Sequence, residues 1–174
     1  MDAETRAHFA KDLQDVHLIY DYNIKHTADD QDREPEKWRY EMWIQCEDRI
    51  VYAIHGGPMA GRRNFQTCSY QCIRPGELWQ CNWLEETGTV CSWVYDIPQS
   101  RITTLIAFSK AGHWTNPIAA HGDKRNEADF ARWRDLAKIG TQTDRVMLAE
   151  QADIIERFYG KGELEPIRRE WATL

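Results

Sequence analysis

The sequence predicts a mainly β protein, an antiparallel sandwich or barrel with one α-helix on its outside. Three observations carry this. Between Val16 and Phe108 apolar and aromatic residues alternate with period two in seven short runs joined by short turns. After Asn126 the period lengthens to that of a helix. The composition is that of an ordinary globular chain: 174 residues, 42% hydrophobic and 29% charged, enough for a single domain that buries one core without disulfides or a metal.

Met1 to Asp15 is a polar N-terminal extension of mixed charge with no apolar core, so it does not read as a signal peptide. Val16–Tyr22 then places Val16, Leu18, Tyr20 and Tyr22 on one face, with His17 and Asp21 opposite. The polar, acidic stretch 23–36 ends near a proline and reads as an exposed loop. In the next run Trp38, Tyr40, Met42 and Ile44 share a face, with Arg39 and Glu41 opposite. The run 48–55 alternates through Ile50, Tyr52 and Ile54, and 64–73 reads as one further strand. The run 78–85 alternates through Trp79, Cys81, Trp83 and Glu85. The β-branched and aromatic runs 89–95 and 101–108 complete the seven. Residues 109–126, with Gly, Pro and Asn, read as an irregular segment on the outside. A helix over 127–139 has Asn126 as N-cap, Gly140 as C-cap, and Phe130, Trp133, Leu136 and Ala137 on one side. Residues 152–159 fit helix or strand; a strand that closes the barrel is preferred, since closure removes exposed edges.

The net charge of −6 argues against nucleic acid or an anionic membrane, which both require clustered positive charge. No apolar run is long enough to cross a bilayer. The five cysteines include no CxxC pair, which fits free thiols in a reducing cytoplasm. None of the six His pairs with Cys at ligand spacing, so no metal site is expected. The aromatic load, eight Trp and seven Tyr, suits a pocket for a flat ligand.

Polar residues on apolar faces mark the candidate site. Tyr20, Tyr22 and Tyr40 sit among aliphatic and aromatic neighbours, and a buried Tyr needs only one partner for its hydroxyl. Glu85 shares the face of Trp79, Cys81 and Trp83. A carboxylate there is either buried, with its proton held more tightly and available for general acid chemistry, or lies at the strand end and reaches water. Of Arg62 and Arg63 only one can face inward; spacing alone favours two solvated arginines.

At these residues the chain resembles the phenolic acid decarboxylases. The matching stretches are His17-Leu-Ile-Tyr-Asp-Tyr22, Trp38-Arg-Tyr-Glu-Met-Trp-Ile44, Tyr52-Ala-Ile-His-Gly-Gly57 leading to Ala60-Gly-Arg62, and Trp83-Leu-Glu-Glu-Thr-Gly-Thr89, in family order over roughly residues 16 to 108. The last third, from Ala119, is more similar to the fungal members. The resemblance implies a flattened lipocalin-like (calycin) barrel with an outer helix, a homodimer, and no cofactor or metal. It implies conversion of 4-hydroxycinnamic acids (p-coumaric, ferulic, caffeic) to 4-vinylphenols and carbon dioxide through a quinone methide. It also assigns residues. Glu85, Arg62 and Tyr40 become catalytic, which selects Arg62 over Arg63. Tyr20, Tyr22, Ile54, Trp83 and Thr89 become substrate-binding. A non-catalytic calycin that binds a phenolic or apolar ligand is the competing class, since a fold alone does not imply activity.

Two departures stand out. Bacterial members typically have Pro where this chain has Glu86, and a second carboxylate there either alters the proton affinity of Glu85 or points to solvent. The loop 23–36 replaces a tight turn and is expected to cover the barrel mouth and tune substrate size.

Overall fold

A computed structural model describes residues 1–24 and 36–174. The loop expected over 23–36 therefore lies almost wholly outside the described residues. Ten strands form one sheet: β1 (Val16–Ile24), β2 (Glu36–Cys46), β3 (Arg49–Ile54), β4 (Arg62–Thr67), β5 (Ser69–Arg74), β6 (Leu78–Leu84), β7 (Val90–Asp96), β8 (Arg101–Ser109), β9 (Gly122–Asp123) and β10 (Arg145–Tyr159). Their order is β5-β6-β7-β8-β10-β1-β2-β3-β4-β9, antiparallel except for the short β4–β9 pair. The architecture is mainly β, a flattened calycin-like barrel. The roll is not closed by a ladder; instead β4 meets the end of β6 through side chains, as described below.

The strands form where period-two alternation was read, with three differences. The run 64–73 is two strands, because the chain turns at Cys68, whose N–H donates to the Asp48 carbonyl at 3.0 Å. The strand expected over 152–159 is nearly twice as long and, rather than closing the barrel, joins β1 to β8 in the middle of the sheet. The N-terminal extension contains a helix, α1 (Ala3–Asp12), capped by Asp2, whose Oδ1 accepts from the Thr5 N–H at 2.8 Å. It was missed because its apolar face is only Phe9 and Leu13, both in the main core. The Phe9 ring packs against Tyr70 and Trp79.

The second helix, α2 (Glu127–Leu136), starts at the expected cap: Asn126 Oδ1 accepts from the Ala128 and Asp129 N–H groups. It ends three residues earlier than expected, with Ala137 rather than Gly140 at the C-cap. The segment 109–126 does not simply wrap the outside. A single π-helical turn at Lys110–Trp114 buries His113, and a 3-10 turn at Pro117–Ala120 buries Ala120.

Strand parity places Val16, Leu18, Tyr20, Tyr22, Trp38, Tyr40, Met42 and Ile44 in the main core as read. Parity also sends His17, Asp21 and Glu41 to the opposite face, yet all three are buried. The reason is tertiary. Residues after β10 fold across the outer face of β2–β4, where Leu164 and Ile167 join Trp43, Val51, Ala53 and Phe65 in a second core. Trp171 packs its ring on Phe65 at 5.7 Å. Asp21 is covered by its forked pair with Arg39, at 2.7 and 2.8 Å. Among the described residues no helix is long and apolar enough to cross a membrane.

Candidate active site

Strand register lines up the site. Tyr20 of β1 pairs Tyr40 of β2, which pairs Ile54 of β3. Ala53 pairs Arg63, so Arg62 stands beside Ile54 in the same row. Four neighbouring strands set Tyr20 and Arg62 apart by three strand spacings, roughly 14 Å. The turn that leads into β4 folds tightly over Trp38: Gly57 has φ +77°, and a Cβ there would lie 2.5 Å from the indole, so only glycine fits. That turn carries Arg62 inward and leaves Arg63 exposed.

A cavity of about 30 Å³ runs along this row, lined by the three tyrosines, Ile54, Arg62, Trp83 and Glu85. Of the predicted site residues, Thr89 alone is not in the lining. It is buried behind the wall, its Oγ1 2.8 Å from His113 Nδ1.

At one end the tyrosine rings cluster with centroids 5.3 to 5.9 Å apart. Tyr22 Oη lies 2.5 Å from Thr104 Oγ1. Burial pushes all three phenols up, so they stay neutral donors.

At the other end Glu85 is buried, which decides against a strand end in water. Its Oε1 accepts from Tyr52 Oη and its Oε2 from Arg62 Nη2 at 3.2 Å. Arg62 is 1% exposed. Its Nη1 donates to the Ala120 carbonyl at 3.0 Å and its guanidinium lies 3.8 Å from the Trp133 ring centre. Its Nε has no partner among the described residues. The buried carboxylates beside it hold its proton more tightly than usual, against the effect of burial.

Glu86 does not point to solvent. Its carboxylate is fully buried and accepts from Arg62 Nη2, from Asn64 Nδ2 at 3.1 Å, from Gln66 Nε2 at 2.6 Å and from Lys124 Nζ at 2.7 Å. Burial opposes ionisation there, but Arg62 and Lys124 outweigh it and hold Glu86 down at about 2. Lys124 is itself lowered to about 8 by burial, and it also donates to the Phe65 and Thr173 carbonyls.

Sequence reasoning missed Tyr52, Asn64, Gln66, His113 and Lys124. Tyr52 shares the inward face of Ile50 and Ile54, so parity could have found it. Asn64 and Gln66 share parity with Arg62. Lys124 and His113 lie in turns and carry no periodic signal. His113 lines the cavity, and burial lowers it to about 3, so it is neutral. Its Nε2 and the Trp83 Nε1 are without partners among the described residues. No group of three potential metal ligands occurs among the described residues.

The family model for phenolic acid decarboxylase matches residues 16–126, nearly two thirds of the chain. The chain belongs to the phenolic acid decarboxylase family. It is similar to phenolic acid decarboxylase PadC of Bacillus subtilis (strain 168), 30% identical over 98 residues. That match covers 56% of this chain and 53% of the relative, so the chain spans about half the length of the curated protein it matches. The residues 16–126 that the family model matches include Tyr20, Tyr22, Tyr40, Arg62 and Glu85, and also Glu86, His113 and Lys124.

Proposed function

We propose that this phenolic acid decarboxylase family member removes carbon dioxide from 4-hydroxycinnamic acids such as p-coumaric, ferulic and caffeic acid, without a cofactor, and releases 4-vinylphenols. One observation carries the reading: Glu85, buried and bonded to Arg62, faces three neutral tyrosines along a narrow apolar slot.

The chemistry needs a proton at the alkene carbon that bears the carboxylate and an electron sink at the para position. Ionising the phenol, its proton passing to solvent water as the substrate enters, supplies the sink. Protonation of that carbon then gives a quinone methide. The carbon–carboxylate bond breaks, its electron pair restores the ring, and a proton returns to the vinylphenolate oxygen. Glu85 is the proton donor, because it lies beside Arg62, the one arginine that lines the slot among the described residues, where the substrate carboxylate binds. Arg62 Nε is a free donor for that carboxylate. Tyr20 and Tyr22, at the far end of the row, donate to the phenolate as its charge grows, and Tyr40 stands between the two ends. Ile54 and Trp83 flank the ring. The homodimer expected from the family remains part of this proposal.

Incubation of the purified protein with p-coumarate, without added cofactor, tests the reading. Loss of the conjugated-acid absorbance with carbon dioxide release is expected. No change with p-coumarate, ferulate or caffeate would overturn it and leave a binding protein.

A further inference from the structure

Four buried charged side chains meet where β4, the turn after β6 and the turn after β9 converge: Arg62, Lys124, Glu85 and Glu86. Their formal charges cancel. The other titratable groups that face them add none. Tyr40 of β2, Tyr52 of β3 and Cys91 of β7 are pushed up by burial, and His113 of the π-turn is pushed down. From α2 the aromatic rings of Trp133 and Phe130 face the cations. The C-terminal segment contributes the Thr173 carbonyl.

The two carboxylates are not equivalent. Glu86 accepts from four donors, two of them cations, and lies outside the cavity lining. Glu85 has one cationic donor and lines the cavity. A substrate carboxylate would bring a third carboxylate into a buried cluster whose formal charges already cancel. Burying an uncompensated charge costs several kcal/mol, so a proton enters with it. That proton goes to the carboxylate with fewer cationic partners, which is Glu85.

We propose that Glu86 is a positioning residue, a fixed anion that holds Arg62 and Lys124 so that substrate binding loads Glu85 with the proton it then delivers. This rests on the decarboxylase reading above.

The test uses 3-(4-hydroxyphenyl)propionate, which has no double bond to protonate and so binds without reacting. Calorimetry at pH 7 in buffers of different ionisation enthalpy counts protons taken up. The native protein should take up about one per site and Glu86→Gln close to none, since the cluster then starts with an excess positive charge. With p-coumarate, kcat of Glu86→Gln should fall about 100-fold at pH 7, KM should not rise, and acidification should restore turnover. Lys124→Met should do the opposite: its cluster already holds the proton, so KM rises and the alkaline limb of kcat moves to higher pH. A merely structural defect would lower both variants at every pH. The inference is overturned if Glu86→Gln still takes up a proton, or if both variants move the alkaline limb in the same direction. Failure of the native protein to bind the analogue or consume p-coumarate would overturn the decarboxylase reading, and this inference with it.

Discussion

The barrel wall carries the same device twice, a carboxylate shared between two basic side chains, inside where β4 meets the turns after β6 and β9 and outside on β1–β3, and uses it differently. Inside, Glu86 lies between Arg62 and Lys124, and the side chains of all three are essentially without solvent exposure. Outside, Glu41 bridges His17 Nε2 at 2.9 Å and His55 Nε2 at 2.7 Å, and the His55 side chain is 43% exposed. The inner cluster opens onto the cavity through Arg62 and Glu85. The outer one is a clip: His17 Nδ1 lies 3.0 Å from the Gly160 carbonyl and its ring stacks on Phe158 at 4.2 Å, tying the C-terminal segment to the barrel. A buried carboxylate with two bases is thus not in itself a functional mark. What distinguishes the inner one is a cavity next to it and donors left unpaired.

This contrast can be broken experimentally. The largest effect on activity is expected inside. Glu85→Gln should cost kcat on the order of 1,000-fold with the fold intact, read by steady-state kinetics beside circular dichroism; substantial residual turnover would remove Glu85 from the donor role. Arg62→Met should cost about 3–5 kcal/mol of stability in denaturant titrations, because it removes the cation that two buried carboxylates share; an unchanged midpoint would mean that the shared pairing contributes nothing to stability.

Outside, Glu41→Gln should cost about 1–3 kcal/mol and leave kcat and KM within twofold of native values; a large kinetic effect would show that the clip and the site are coupled. A further effect appears only in acid. His113 is held neutral down to about pH 3, so the unfolded chain binds its proton first, and stability falls as pH drops from about 6.5 toward 3. Glu86, held at about 2, adds a loss that begins only near pH 4.5. His113→Asn should therefore move the onset of acid destabilisation from about pH 6.5 to about 4.5, read as unfolding midpoints against pH.

The alternation over 16–108 determined most of the strands and, through parity, the inward tyrosines and Glu85. Period-two patterning is local physics, since successive side chains in a strand must face opposite ways. The motifs added Arg62, which spacing alone could not separate from Arg63. The buried state of Glu86 was beyond reach: it follows Glu85 past the end of β6, where alternation no longer sets direction, and its partners come from β4 and from a turn 38 residues on. Thr89 sits in a matching motif yet behind the cavity wall, because the turn at Gly88 aims it at His113.

By itself, then, the sequence determined a barrel with an aromatic slot and one inward carboxylate, because hydrophobic periodicity and strand parity act within single strands. Only the tertiary structure decided which charged groups face each other, which outward residues are covered by the C-terminal segment, and that four buried charged side chains gather beside the cavity. Those depend on approach between residues distant in sequence, where Coulomb and desolvation energies act and no local pattern reports them.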